Sequence, residues 1–415
     1  MALKKYILPI VPVNARQTIK RRMLKVAFPP NQLSVSKEEK KVYDGTQGVN
    51  LIGYARAEMG LGESCRIAAR SLTAVDIPFG IVNFKGMNMA RMSDESWVHK
   101  EIKQPIYDVN IFHVNAEQMM EVYAQYGDRI FKDHYNIGYW HWELPQFPDA
   151  WQESFQFVNE VWVPSTFVAD SIAMNSPVPV VRIPHGIEVK YAITRNRNYY
   201  NIPENAFLFL TMYDVKSYQE RKNPRAAVEA FKMAFSPEDK TVGLVIKVNN
   251  AKYGESELAL LNQVIEGYSN IHLILDILDR DDTNALINCT DSYISLHRSE
   301  GFGLGLAEAM YLGKPAIGTN WSSNTDFMNN QNSCLVNYRL IQIERDHGPY
   351  KAGQYWADPD LEHASSYMKS LVNDTSYYKR VAGSGIDTIK KDFSPLATGK
   401  IAMKRLQYIK QHLGG

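Results

Sequence analysis

Two glutamates eight positions apart, Glu300 and Glu308, flank the glycines Gly301, Gly303 and Gly305 in the run SYISLHRSEGFGLGLAEAMYLGKPAIGT, residues 292–319. The run reads as a strand, a glycine-rich turn and a helix, with Gly313 and Pro315 closing the helix. Free N–H groups at a helix start, reached over glycines that carry no side chain, form a seat for a phosphate. At 1.5 Å per residue, Glu308 lies roughly 8 Å along the helix from Gly303. One carboxylate then reaches hydroxyls on one side of a bound diphosphate, and the other reaches hydroxyls on the opposite side. Hydroxyl acceptors on both sides of an anion seat describe a nucleotide-sugar.

A second group of residues supplies positive charge. Arg221 and Lys222 in SYQERKNPRAAVEAF follow a strand and precede a helix that starts at Asn223-Pro224. Fixed cations of this kind offset the charge that builds on a diphosphate leaving group without a metal ion. The acidic D-x-D run in WADPD (Asp358, Asp360) does not follow a strand in the way a donor-bound metal would require. Nearer the start, Gly60 and Gly62 in MGLGE form another glycine turn, with Arg66 one helical turn further on. His113 and His141 both end strands, where open α/β sheets place ligands. Either imidazole could hydrogen-bond a sugar hydroxyl, and Glu143 could orient an acceptor hydroxyl.

The elements that must position these groups alternate. VNLIGYA (49–55), FGIVNF (79–84), YDVNIFHV (107–114), YNIGYW (135–140), EVWVPS (160–165) and VPVVRIP (178–184) read as strands, separated by helical patterns such as SCRIAARSLTAV and FPDAWQESFQFVN. A second series follows in FLFLTMY (207–213), VGLVIKV (242–248), IHLILD (271–276), SYISLH (292–297) and PAIGT (315–319). Near-continuous apolar strands between helices indicate parallel sheets covered on both faces. Two series predict two doubly wound α/β domains, with a seam in the polar stretch around 185–205.

These motifs together resemble the retaining glycosyltransferases of the GT-B fold, particularly glycosyltransferase family 4, whose E-x7-E motif the pair Glu300 and Glu308 matches. The resemblance runs over most of the chain from about residue 50 and includes AEMGLGES, GYWHWELPQFPDAW, VWVPSTFVADSI, IPHGIE, DVKSYQERKNPRAAVEAF and WSSNTDFM. It implies two Rossmann-like domains facing a central cleft: an acceptor-side domain over 48–195 and a nucleotide-sugar domain over 196–390. A basic arm (1–47) precedes them, and a C-terminal helix (391–415) crosses back to the first domain. Arg221 and Lys222 match the family's diphosphate-binding pair. The family's G-R step about six residues upstream is replaced here by Val215, Lys216 and Ser217. By position the family's sugar-contacting histidine falls best on His141. The implied catalytic groups are His141, His113, Glu300, Arg221 and Lys222. The implied donor-binding groups are Gly60, Gly62, Arg221, Lys222, Glu300, Gly301, Phe302, Gly303, Leu304, Gly305 and Glu308.

The implied reaction moves a sugar, of hexosyl type, from a nucleotide-diphosphate donor to a hydroxyl of a glycan, free or linked to lipid or protein, as in polysaccharide biosynthesis. It proceeds with retention and without a metal. The nucleotide-sugar is a substrate, and no cofactor is expected. A nucleotide-sugar epimerase of related fold, or a non-catalytic glycan-binding protein, are the alternative readings.

Composition narrows the setting. Across 415 residues, 46 Lys and Arg balance 45 Asp and Glu, so no general nucleic-acid binder is expected. The three cysteines, Cys65, Cys289 and Cys334, form no CxxC pair and fit a reducing cytoplasm. No apolar run reaches the roughly 18 residues of a membrane-spanning helix, and the stretch from Tyr6 to Pro12 lacks a cleavage site. Residues 1–30 carry seven cations and no acidic residue. Within them ARQTIKRRMLKVAF sets Ile19, Met23, Leu24 and Val26–Phe28 near one helical face with cations on the other. That pattern suits either a peripheral contact with an anionic inner membrane surface or a short helix packed on the protein.

Overall fold

The computed structural model describes residues 48–86, 88, 90–191 and 194–413, together with 19, 22–24, 26 and 27 of the arm. Two parallel six-stranded sheets organise the chain, as the two apolar series predict. The first contains β1 (Val49–Gly53), β2 (Phe79–Asn83), β3 (Val109–His113), β4 (Tyr135–Tyr139), β5 (Glu160–Val163) and β6 (Val180–Arg182), in spatial order β2-β1-β3-β4-β5-β6. All five residues of β1 are buried, which is why its sequence shows no alternation: helices cover both faces. Register is pinned by a buried ladder in which Asn50 donates to Asn110 and Asn110 to Asn136, both at 2.9 Å. A one-residue slip would leave these amides unpaired in the core.

The second sheet contains β7 (Phe207–Asp214), β8 (Val242–Asn249), β9 (Ile271–Ile274), β10 (Ser292–Ser295), β11 (Ala316–Thr319) and β12 (Cys334–Val336), in order β12-β11-β10-β7-β8-β9. Each sheet reverses its strand order once, between β1 and β3 in the first and between β7 and β10 in the second. Doubly wound sheets bind ligands in the crevice at such a point, beyond the carboxyl ends of the strands. The turns after β1, β7 and β10 carry the glycines, the cation pair and Glu300, respectively.

Two features depart from the expected division of the chain. Ile187 and Val189 fall within the expected first domain, yet both pack in the second domain's core. In the other direction, a hairpin of β13 (Tyr338–Gln342) and β14 (Tyr355–Pro359) sends Ile343, Tyr350 and Trp356 into the first domain's aromatic cluster. The D-x-D run therefore lies on a strand or at its end. Asp358 is taken up by Arg298 and Arg339 at 3.1 and 3.2 Å, while Asp360 caps the helix Leu361–Asn373. The stretch Asp149–Phe157, read as helical from its spacing, is wound as a 3₁₀ helix.

The C-terminal helix Pro395–Leu413 packs against the helix Gly60–Thr73 of the first domain. Thr398 and Ser71 share a hydrogen bond at 3.0 Å, and Arg405 pairs with the fully buried Glu160. The described arm residues are helical, with Ile19, Met23 and Val26 exposed; the rest of the arm lies outside the described residues.

Candidate active site

The second-domain half of the site is built on the turn between β10 and the helix Leu304–Tyr311. Gly303 sits at φ +94°, a conformation that side chains resist, and turns the chain into the helix. Gly305 brings the helix close to β10, where an added Cβ would lie 2.4 Å from the Tyr293 hydroxyl. Phe302 is buried, with its ring edge-on to His185 at 4.9 Å, so its side chain anchors the turn. Leu304 packs at the edge of the second domain's core.

Glu300 lies between the two cations predicted to share its site. Lys222 Nζ donates to its Oε1, and Arg221 Nη1 is 3.4 Å from its Oε2. Arg221 also donates to the Ser299 carbonyl at 2.8 Å, which knits the β7 turn to the β10 turn. Burial alone would raise the Glu300 carboxyl, but Lys222 and then Arg221 hold it down at about 2. The site therefore contains a fixed anion and two fixed cations, with Lys222 the more exposed cation. Lys216, in place of the family's arginine step, lies over the Tyr253 ring.

Glu308 is buried and paired with Arg280, which starts the helix Arg280–Cys289. Burial pushes the Glu308 carboxyl up against the pull of Arg280. Arg280 also approaches Glu63 of the first domain at 3.9 Å. Glu63 is held well below the usual carboxylate range: burial opposes ionisation, but Arg280, Arg70 and Arg66 outweigh it.

The first-domain half begins with the glycine turn after β1. Gly60 faces open space, whereas a Cβ at Gly62 would meet the Ala57 carbonyl at 2.0 Å. Arg66 does not line the cleft. It is buried beneath the turn, donating to the Ala55 and Ala57 carbonyls at 2.8 and 3.1 Å and pairing with Glu63 and Asp94.

His141 and Glu143 follow β4 and meet the glycine-rich turn of the other domain. A Cβ at Gly301 would lie 3.6 Å from the His141 Cβ and 3.7 Å from the Glu143 Cγ. Ser299 donates to the Glu143 carbonyl, and Tyr350 of the hairpin donates to its carboxylate at 3.2 Å. His113 sits farther back, stacked on Tyr139 with ring centroids 4.7 Å apart and hydrogen-bonded to Ser64. It lines a cavity of about 30 Å³ beside the C-terminal helix, room for one or two waters. The structure thus brings His141, Gly301, Glu300, Arg221 and Lys222 together and sets His113 behind them.

Sequence reasoning missed His185, Arg280, Glu63 and Tyr350. His185 follows β6 in IPHGIE, and the strand-end rule that singles out His113 and His141 applies to it equally. Arg280 and Tyr350 carry no comparable signal, because each acts through residues far away in the chain, Glu308 and Glu63 for Arg280 and Glu143 for Tyr350.

Residues 193–338 match the profile of the family described as glycosyl transferases group 1. None of the curated protein sequences matches this chain. Among solved structures, an Anabaena protein, HepE, in complex with UDP and glucose, is 12% identical with a TM-score of 0.61, covering 88% of this chain and 100% of its own. A sucrose-phosphate synthase from Thermosynechococcus elongatus is 13% identical with a TM-score of 0.64, covering 88% and 99%. A glycosyltransferase from Rickettsia africae is 13% identical with a TM-score of 0.63, covering 89% and 100%. The fold is that of the GT-B glycosyltransferases. In the GT-B arrangement the cleft between the two sheets is where Glu300, Lys222 and Arg221 face His141 and Glu143. The likeness spans both domains in fold and residues 193–338 in sequence.

Proposed function

We propose that this chain is a retaining glycosyltransferase that moves a sugar from a nucleotide-diphosphate donor to a hydroxyl of a glycan or glycoconjugate. The observation that carries the reading is the Glu300–Lys222–Arg221 cluster at the second sheet's strand-order reversal, directly opposite His141. The group 1 match over the second domain supports it, as do neighbours of the same fold solved with UDP and glucose or with UDP-glucose.

In this reading Lys222, Arg221 and the amides of the Gly301–Gly305 turn receive the diphosphate. Glu308 accepts hydrogen bonds from the nucleotide's hydroxyls and Glu300 from those of the sugar. The bond between the anomeric carbon and the phosphate oxygen breaks, and its electron pair leaves with the phosphate. The acceptor oxygen bonds to the same face of the anomeric carbon, and its proton passes to the departing phosphate oxygen. The protein's work is positioning and electrostatic stabilisation of the leaving charge, with cations in the role that a metal ion would otherwise fill. The chain would work on the cytoplasmic face of a membrane, with the arm on the anionic surface. The exposure of Ile19, Met23 and Val26 on the arm helix supports that contact.

A thermal-shift panel of UDP, GDP, dTDP and ADP identifies the nucleotide by the largest rise in melting temperature. With the matching nucleotide-hexoses and a glycan acceptor, glycosylated product should form with retained configuration and release of nucleoside diphosphate. A converted sugar still attached to its nucleotide, formed without acceptor, would identify an epimerase instead.

A further inference from the structure

The side chains of Tyr139, His141 and His185 form a single hydrogen-bonded chain behind the glycine-rich turn. Tyr139 Oη is 2.7 Å from the Ile183 carbonyl and 3.3 Å from His185 Nδ1. His185 Nε2 is 3.1 Å from His141 Nε2. His141 Nδ1 is buried without a partner, on a residue whose Cβ lies against Gly301. The rings overlap as well, with His185 stacked on both Tyr139 and His141.

The position of each proton follows from one end of this chain. A carbonyl oxygen only accepts, so the single hydroxyl proton of Tyr139 goes to Ile183 across the shorter contact. Tyr139 Oη is then left with lone pairs towards His185, and His185 Nδ1 must carry the proton that it donates. A neutral imidazole carries one N–H, so His185 Nε2 is an acceptor. Its partner, His141 Nε2, must therefore be the donor. That uses the only ring proton of His141 and leaves Nδ1 as a bare lone pair. Burial favours the neutral form of both rings, pushing His141 down to about 4 and His185 well below its usual value.

We infer that Tyr139 and His185 are positioning residues that lock His141 in the Nε2–H tautomer, so that its Nδ1 serves the cleft as a hydrogen-bond acceptor. The group it takes is a donor, a sugar hydroxyl rather than a carbonyl or phosphate oxygen. The identity of the hydroxyl rests on the glycosyltransferase reading above; the tautomer does not. A sugar that keeps an oxygen at that position but lacks its proton, as an O-methyl ether does, would lose the contact.

The test is ¹⁵N–¹H correlation spectroscopy of the full-length protein labelled at histidine, with the His141 signals assigned by their loss in His141→Gln. The wild type should show His141 protonated at Nε2 and bare at Nδ1, and His185 protonated at Nδ1. Tyr139→Phe removes the anchor and should give mixed tautomers at His141. It should also raise KM for the nucleotide-sugar, by about twofold for an even mixture, since only the Nε2–H tautomer makes the contact, while affinity for the free nucleoside diphosphate stays the same. A proton on His141 Nδ1 in the wild type, or an unchanged tautomer in Tyr139→Phe, would overturn the inference. The wild-type spectrum decides even if the variant fails to fold. Absence of sugar transfer with an intact Nε2–H pattern would instead count against the glycosyltransferase reading alone.

Discussion

Arg280 joins Glu308 of the second domain to Glu63 of the first, and so holds a glutamate of the E-x7-E pair by a cation whose second neighbour lies across the cleft. Glu308 would otherwise be a buried carboxyl whose environment favours protonation. Arg280→Ala should therefore weaken nucleoside diphosphate binding, with a loss that depends on pH. With Arg280 gone, burial raises the Glu308 carboxyl further, so affinity should fall as pH drops from 7.5 to 5.5 and recover as pH rises. Wild-type affinity should show the smaller loss over that range, because Arg280 favours the Glu308 carboxylate. Calorimetric titration at the two pH values checks the difference.

Lys222 is the more exposed of the two cations on Glu300. Replacing it with alanine removes the charge that would meet the leaving diphosphate, so kcat should fall on the order of 10²–10³. Turnover should survive excess EDTA. Loss of turnover on chelation, with recovery on adding magnesium or manganese, would show that the cations do not do this work alone.

The two glycine turns separate folding from binding. Gly62→Ala forces a Cβ against backbone oxygens, 2.0 Å from Ala57 and 2.8 Å from Tyr54, and should cost about 1–3 kcal/mol in urea unfolding. Gly301→Ala has room for its methyl, 3.6 Å from the nearest atom, so stability should change by less than about 0.5 kcal/mol. Its methyl would stand where the donor approaches, so nucleotide-sugar affinity should drop even though the fold is intact.

Buried histidines held neutral, among them His113 and His141, make stability depend on pH. Burial, with a smaller contribution from His141, holds His113 down at about 3, and burial holds His141 at about 4. Their unfolded values lie near 6.5. Between these limits the unfolded chain binds protons that the folded one refuses, so the stability present above pH 6.5 is lost as pH falls. The stability advantage of the wild type over His113→Gln should shrink by about 2 kcal/mol between pH 7 and pH 5. Urea titrations at both values measure it.

Much of this architecture is legible in the chain itself. Strands buried on both faces leave unbroken apolar runs, and VNLIG and VGLVIKV announce the two sheets. Glu300, Arg221 and Lys222 stand out because turns at a strand-order reversal need glycines and charges at fixed offsets. The hairpin is harder to read. Tyr338–Gln342 is mostly exposed, and the apolar residues that matter, Ile343, Tyr350 and Trp356, find their partners in another domain. The 3₁₀ stretch Asp149–Phe157 has a helical spacing of apolar residues that does not distinguish the tighter winding. The tautomer chain through Tyr139 and His185 depends on which atoms come within 3.3 Å, and no residue pattern encodes that.

The hairpin also bears on how the cleft can open. The domains are also joined by ion pairs such as Arg280 with Glu63 and Arg182 with Asp326, whose carboxylates are largely buried. At the hairpin, parting them would strip Ile343, Tyr350 and Trp356 from an aromatic cluster, at roughly 1.5–3 kcal/mol for each large side chain exposed. The hairpin thus makes one segment of the second domain part of the first domain's core, and any separation of the two domains must disrupt it.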